Sequence, residues 1–212
     1  MVVQKYLKNP CLIDGLKFDL WIYALITSSD PLKIYIYNEG LARFATIKYK
    51  YSTKQKALTM MHLTNYAINK RSKNFVKGEG EDDDTASKRS IASTMKSLEE
   101  AYGVSKDKIW DGIKDIINKT IISAQPELSH IYKSSQSADR FGKVCFQILG
   151  FDIMLDHKVK PRLLEVNASP SFNLDTKLDK FVKMNLISDT FKIIEANFSS
   201  KQKYTTIEKL DG

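Results

Sequence analysis

The residues best suited to chemistry lie in the segment 151–172, which reads FDIMLDHKVKPRLLEVNASPSF. Two runs of alternating apolar residues, Phe151–Leu155 and Leu163–Val166, are joined by a short polar turn. This pattern predicts a β-hairpin, with Pro161 at the first residue of the second strand, where proline is tolerated.

Two carboxylates are expected to oppose each other in this hairpin. A loop centred on the middle of the turn places Asp152 across from Glu165 and Met154 across from Leu163. Like charges in such a position destabilise a strand pair, and burial increases the cost, so a cation is expected between them. Asn167 projects from the same face as Glu165, since side chains alternate along a strand.

Two carboxylates and an amide oxygen form the all-oxygen ligand set that Mg²⁺ prefers. On the residues alone a second interpretation stays open. Either carboxylate by itself is equally typical of a solvated edge strand or of a salt bridge.

The hairpin sequence, G-F-D-I-M-L-D followed by K-P-R-L-L-E-V-N-A-S-P-S, resembles the metal-binding segment of the tubulin tyrosine ligase-like family, whose catalytic core is an ATP-grasp fold. The resemblance covers nearly the whole chain and is closest to the tubulin polyglutamylase branch. Further matching pieces follow in the family's order: QKYL at Gln4–Leu7, LIDGLKFDL at Leu12–Leu20, YNEGLARFAT at Tyr37–Thr46, HLTNYAINK at His62–Lys70, KTIISA at Lys119–Ala124 and LDTKLDKFVK at Leu174–Lys183.

The resemblance implies an α+β, ATP-grasp-like fold with an antiparallel sheet flanked by helices. Residues 1–198 would form the C-terminal part of the catalytic domain, and the N-terminal lobe would precede residue 1 and be missing here. Residues 199–212 are expected to be a frayed tail. Residues 77–87, KGEGEDDDTAS, combine glycine and acidic residues without a large apolar side chain, which is typical of a mobile loop.

The resemblance also implies roles for individual residues. Arg43 and Glu165 would be catalytic, and a planar guanidinium such as that of Arg43 suits a bidentate contact with a carboxylate. The metal ligands would be Asp152, Glu165 and Asn167. The nucleotide would be held by Gln4, Lys5, Tyr6, Leu7, Lys17, Asp19, Thr64 and Asn65, and the amino-acid substrate by Arg43, Tyr66, Lys88, Ser90 and Lys183.

The implied reaction is ATP-dependent ligation. A glutamate side chain of tubulin's C-terminal tail is phosphorylated, and the amino group of free glutamate attacks the acyl-phosphate to form an isopeptide bond. ATP and Mg²⁺ are the expected cofactors, and tubulin or microtubules and free glutamate the expected partners. We expect a monomer in the cytoplasm and cytoskeleton, including the cilium or basal body, without nucleic-acid or membrane binding.

Composition agrees with these expectations but is less specific. The chain has 212 residues and a net charge of +8, which suits an acidic partner or, alternatively, simple solubility. Its two cysteines, Cys11 and Cys145, are too few for a disulfide framework or a zinc site.

One position departs from the family pattern. Trp21 follows K-F-D-L where the family normally carries an arginine, so a catalytically inactive tubulin- or microtubule-binding module is one alternative function. A ligase of the same family that adds glycine or tyrosine is another.

The remaining elements are predicted from periodicity and turn signals. Arg43 is expected on a third short strand after a turn at Glu39–Gly40, and Pro126 should kink or split the helix that contains it. The last helix is expected to be capped by Asp175. Strands are predicted at Val2–Leu7, Lys17–Thr27, Leu32–Tyr37 and Lys143–Leu149, and helices at Ile91–Tyr102, Asp107–Tyr132 and from Asp175 to Ile194.

Overall fold

The computed structural model describes residues 3–51, 59–78, 80, 84–137, 139 and 144–210, with side chains up to residue 196. Within these residues the fold is α+β, as expected: an antiparallel sheet flanked by helices. The elements are β1 (Leu12–Ile13), β2 (Leu16–Ser29), β3 (Leu32–Phe44), α1 (Thr59–His62), α2 (Tyr66–Asn69), β4 (Lys88–Ser90), α3 (Ile91–Tyr102), α4 (Lys106–Ser135), β5 (Gln147–Leu155), β6 (Pro161–Asn167) and α5 (Lys177–Leu210).

The central strand β2 gives the sheet its two different faces. The strand order is β4-β3-β2-β5-β6, and β1 pairs with the start of β2. Phe18, Leu20 and Ile22 point into a core formed with α3 and α4, as the alternation predicts. Burying a side chain of this size contributes roughly 1.5–3 kcal/mol. The opposite face carries Tyr23 and Leu25, which pack against α5 at one end of this face. The other end of the same face carries polar side chains.

Arg43 lies on β3 itself, so the predicted third strand is wrong. β3 runs without interruption to Phe44, and the expected turn is a bulge in which three residues, 37–39, oppose Tyr23 alone. Gly40 ends this bulge where the backbones approach closely, since a Cβ there would lie 2.4 Å from the Trp21 carbonyl oxygen. The bulge shifts the register of the strand pair, and the new register brings Arg43 opposite Asp19.

The predicted hairpin is confirmed, and so is its most important pairing. Asp152 lies opposite Glu165, and β6 begins at Pro161. The expected pairing of Met154 with Leu163 is wrong, because a register shift next to Asp152 pairs Met154 with Arg162 instead.

Three other expectations about strands and helices need correction. Residues 3–7 form no strand, and β5 begins at Gln147, after the non-strand residues 144–146, and continues to Leu155. Val2 and Lys143, where these two strands were predicted to begin, lie outside the described residues. The prediction for Ile91–Tyr102 is confirmed, whereas Pro126 lies inside one unbroken helix, so the predicted alternative of two helices is wrong.

The last helix begins and ends later than predicted. Thr176, rather than Asp175, provides its cap: the Thr176 hydroxyl accepts a hydrogen bond from the Asp179 amide at 3.1 Å. The helix continues beyond Ile194 to Leu210. The domain boundary at 198 and the mobility of the loop at 77–87 stay predictions, and residues 79, 81–83 and 211–212 lie outside the described part of the chain.

No helix in the described ranges has both the length and the apolar character that a membrane crossing requires.

Candidate active site

A cavity of about 630 Å³ lies beside the polar end of the sheet face that α5 partly covers. It brings together residues from the chain's start, from β2, β3, β5 and β6, and from the segment before α2. Eleven of the predicted site residues line it: Gln4, Lys5, Tyr6, Leu7, Lys17, Asp19, Arg43, Thr64, Asn65, Asp152 and Glu165.

Four charged residues form the floor of this cavity, and we call Asp19, Arg43, Asp152 and Glu165 the acidic cluster. Arg43 Nε donates to Asp19 Oδ1 at 2.9 Å, and its Nη2 donates to Asp152 Oδ2 at 2.8 Å and to Asp19 Oδ2. Asp19, Arg43 and Asp152 are buried, whereas Glu165 is exposed. Strand pairing dictates the cluster, because Asp19 opposes Arg43 and Asp152 opposes Glu165.

Three carboxylates surround one guanidinium in this cluster, and this imbalance shifts the pKa values of Arg43 and Asp152. Burial opposes the charge of Arg43, but Asp19 and Asp152 together raise its pKa above the ordinary value. Burial raises the pKa of Asp152; Arg43 opposes this shift, and the negative charges of Asp19 and Glu165 add to it. A further cation beside Asp152 would therefore be stabilised.

Asp152 also has an oxygen available for such a cation. Its Oδ1 atom is buried and has no hydrogen-bond partner among the described residues, a costly arrangement unless a ligand satisfies it. The donor set at this point, two carboxylates, fits Mg²⁺. The described chain has no cluster of three or more His, Cys, Asp or Glu side chains with metal-binding geometry, so further ligands must be amides, carbonyls or water.

Asn167 is the predicted amide ligand. It follows Glu165 by two residues on β6 and pairs with Gly150 on β5, but it does not line the cavity. Its role as a ligand stays a prediction.

Lys17 projects into the cavity from β2 and is 4% exposed. Its Nζ donates to the His62 carbonyl oxygen at 2.7 Å and lies 5.0 Å from the centre of the Tyr6 ring. Burial lowers the pKa of Lys17, and Asp19 only partly opposes the shift. In the described part of the chain Lys17 forms no ion pair, so its charge is directed at the cavity and suits an anionic ligand such as phosphate.

A second buried charged group lies under the start of α5, and we call Lys88, Asp179 and Lys183 the lysine cluster. Lys88 Nζ is 2.7 Å from Asp179 Oδ2, and Lys183 Nζ is 2.9 Å from Asp179 Oδ1. The Tyr66 ring covers Lys88, with 4.1 Å between Nζ and the ring centre. Burial lowers the pKa of Lys88 despite Asp179. Burial alone would raise the pKa of Asp179, but the two lysines lower it below the ordinary value.

The two clusters are connected. Arg43 and Thr64, which line the cavity, also line a narrow crevice together with Tyr66 and Lys88. The predicted amino-acid contacts are therefore separated from the nucleotide residues but adjacent to them.

Ser90 has a structural role that the sequence analysis did not assign. Its hydroxyl accepts a hydrogen bond from the Ser93 amide at 3.0 Å and so caps α3. A contact between Ser90 and a substrate stays a prediction.

Trp21 lies next to the acidic cluster. The Arg43 guanidinium carbon lies 4.5 Å from the centre of the indole ring, which is a cation–π contact. The indole Nε1 is buried without a hydrogen-bond partner in the described structure. Trp21 therefore occupies the space beside Arg43 with an aromatic face.

The sequence analysis missed two groups of site residues. Asp179 was missed although T-x-x-D at a helix start and a lysine four residues later are readable signals. The second group forms the largely apolar wall of the cavity. The hairpin register could have indicated Met154, Arg162, Leu163 and Leu164, whereas Leu63 lies before α2 and carries no such signal.

The sheet and the cavity define an α+β domain with a charged site at one end of a sheet face, and comparison with known proteins gives the family. A model of the tubulin-tyrosine ligase family matches residues 1–203, and the chain belongs to this family.

Its similar relatives include proteins named as polyglutamylases. Tubulin polyglutamylase TTLL6 of Mus musculus is 47% identical over 213 residues, which cover 100% of this chain and 25% of the relative. The probable beta-tubulin polyglutamylase of Tetrahymena thermophila is 49% identical over 204 residues, covering 95% of this chain and 17% of the relative. The chain thus spans about a quarter or less of the length of these relatives.

Proposed function

We propose that this chain carries nucleotide- and metal-binding parts of an ATP-dependent protein–glutamate ligase, a tubulin polyglutamylase. The enzyme would join free glutamate to side-chain carboxylates in the C-terminal tails of tubulin. The observation that carries the proposal is the acidic cluster, where Asp152 keeps a buried oxygen without a described partner beside Glu165. The names of the relatives support the substrate.

In this proposal Asp152, Glu165 and Asn167 hold Mg²⁺, which when bound neutralises charge on the phosphates during transfer. Lys17 presents its ammonium group to the phosphates from a buried position, and Asp19 keeps Arg43 oriented. The nucleotide is held further by Gln4, Lys5, Tyr6, Leu7, Thr64 and Asn65.

The amino acid would bind where the cavity adjoins the lysine cluster, since the crevice itself is too narrow for a water molecule. Arg43 borders both the cavity and the crevice, which supports a role for it between the nucleotide and the lysine cluster. Tyr66, Lys88 and Lys183, with Ser90 nearby, would position the amino acid so that its amino group faces the activated carboxylate.

The proposed partners are microtubules, through acidic tubulin tails that complement the net charge of +8, and free glutamate. A monomer acting in the cytoplasm and on the cytoskeleton, including the cilium or basal body, fits this role.

The test is incorporation of radiolabelled glutamate, glycine and tyrosine into microtubules. It should use the chain as given and a form in which any natural flanking sequence is restored. We expect ATP- and Mg²⁺-dependent incorporation of glutamate in at least one form. A preference for glycine or tyrosine, or incorporation without ATP, would contradict the proposal.

A catalytically inactive tubulin-binding module is the second candidate, and Trp21 favours it. A preorganised cation beside a developing negative charge is worth about 10²–10³-fold in rate, and an indole cannot replace it. Under this alternative neither form incorporates any amino acid, both bind acidic tubulin-tail peptides, and Trp21→Arg restores turnover.

A further inference from the structure

Asp179 is 0% exposed and is the carboxylate on which the lysine cluster converges. Besides its ion pairs with Lys88 and Lys183, its Oδ2 accepts hydrogen bonds from the Thr176 amide at 3.1 Å and the Thr176 hydroxyl at 2.7 Å. These bonds fix the carboxylate at the first turn of α5. Both ammonium groups therefore share one fixed carboxylate as their ion-pair partner.

The charges of the cluster do not cancel. Two lysines and one carboxylate leave one net positive charge in the interior, and Lys88 and Lys183 are only 9% and 6% exposed. Lys183 Nζ also donates to the Asn173 carbonyl oxygen at 2.6 Å, which adds no charge. A buried excess charge is costly, and a ligand of opposite charge would relieve it.

Stability alone explains this arrangement poorly. Buried ion pairs contribute little to folding compared with apolar residues of similar volume, and buried titratable groups cluster at functional sites. Lys88 also lines the crevice that Arg43 and Thr64 connect to the cavity.

We propose that Asp179 is a positioning residue that holds Lys88 and Lys183 as a pair with one net positive charge, and that the pair binds a single carboxylate of the free amino acid. The inference rests on the proposed function, because it takes glutamate as that amino acid. Asp179 itself would not touch the substrate; it would act through the two lysines.

The test measures two dissociation constants by calorimetry in separate titrations. One is that of glutamate, and the other is that of a non-hydrolysable ATP analogue in the presence of Mg²⁺. The variants are Asp179→Asn, Lys183→Met and the double variant, with thermal melting of each. Asp189→Asn is the control, since Asp189 pairs with Lys192 on the same helix at 2.9 Å but on an exposed part of it. Asp179→Asn should weaken glutamate binding about tenfold or more, since loss of an orienting residue typically costs about that much affinity. Nucleotide binding should change less than about twofold, because Asp179 does not border the nucleotide cavity.

The double variant shows whether Asp179 acts through Lys183. The defects of the two single variants should then add incompletely, and the part that remains in the double variant beyond Lys183→Met reports the effect through Lys88. The double variant also removes one of the two lysines that Asp179→Asn leaves without a counter-charge. If Asp179→Asn alone melts below the assay temperature, glutamate affinity is therefore compared between the double variant and Lys183→Met.

Different failures have different meanings. Fully additive defects, or equal losses of glutamate and nucleotide affinity in folded Asp179→Asn, would overturn the inference and leave the ligase proposal intact. Nucleotide binding without glutamate binding in the wild type would also overturn it. If the wild type bound neither ligand, the proposed function itself would fail.

Discussion

The acidic cluster, which is buried except for Glu165, and the buried lysine cluster lie beside the same face of one sheet, yet they carry opposite excess charge. Three carboxylates and one guanidinium leave the acidic cluster with two formal negative charges, whereas the lysine cluster keeps one positive charge. In the proposed function the first would bind a divalent cation and the second an anion. Two adjacent sites of opposite sign suit the proposed reaction between a metal-bound nucleotide and an anionic amino acid.

The clusters are also built differently. Paired strands assemble the acidic cluster, because register alone sets Arg43 opposite Asp19. The lysine cluster depends on the docking of α5, whose first turn brings Asp179 to Lys88 from 91 residues away in the sequence. The following predictions test this contrast.

The largest effect is expected for Arg43→Met, which leaves Asp19 and Asp152 buried together without a counter-charge. Removing one partner of such a buried network costs about 3–5 kcal/mol of unfolding free energy. Urea denaturation measures it. Lys119→Met is the control: Lys119 pairs with Asp115 on α4 and both side chains are exposed, so less than about 1 kcal/mol is expected. Equal losses in both variants would contradict the account of the acidic cluster.

Glu165→Gln should reduce Mg²⁺-dependent nucleotide binding by about 100-fold, since it removes one of two carboxylates from the metal site. Its thermal stability should not fall, because it relieves the repulsion with Asp152. Titration of the nucleotide with and without Mg²⁺ measures the first effect. Glu100→Gln, at an exposed position of α3, is the control. Unchanged magnesium-dependent affinity in Glu165→Gln would refute the metal assignment.

The two clusters should show opposite dependence on pH. The lysines lower the pKa of Asp179 in the folded protein. The ionised carboxylate therefore stabilises the fold fully above the ordinary aspartate pKa, and this stabilisation is lost as pH falls through the lower pKa of the folded state. The pKa of Asp152 is raised, chiefly by burial, so its ionisation costs stability as pH rises from the ordinary value through the folded one. The destabilisation by Asp179→Asn should therefore grow with pH, and that by Asp152→Asn should shrink.

Denaturation of both variants and the wild type between about pH 3 and 7 checks this, since aspartates titrate in that range. If the loss of unfolding free energy changed with pH in the same direction in both variants, the two clusters would not differ in the way described.

The smallest effect on stability is expected for Lys17→Met. Because Lys17 is a buried charge without a described ion pair, the unbound protein should be as stable as the wild type or up to about 1 kcal/mol more stable. Nucleotide affinity should nevertheless fall about tenfold, since a charge-assisted contact with phosphate is lost. Lys108→Met on α4 should change neither. A clear loss of stability in Lys17→Met would show a structural role.

Local patterns predicted much of the acidic cluster. Alternation in the hairpin was sufficient to place Asp152 opposite Glu165. The sequence did not indicate that Arg43 continues β3, because a turn signal and a bulge look alike when both end in glycine. It also missed Asp179, since the tertiary docking of α5 brings the lysine cluster together.

The most direct test of the account is anomalous diffraction from crystals that contain Mn²⁺ and a non-hydrolysable ATP analogue. The predicted result is a metal peak within coordination distance of Asp152 Oδ1 and Glu165, with the phosphates directed towards Lys17. A metal peak elsewhere in the bound cavity, with Asp152 still paired only to Arg43, would contradict the account.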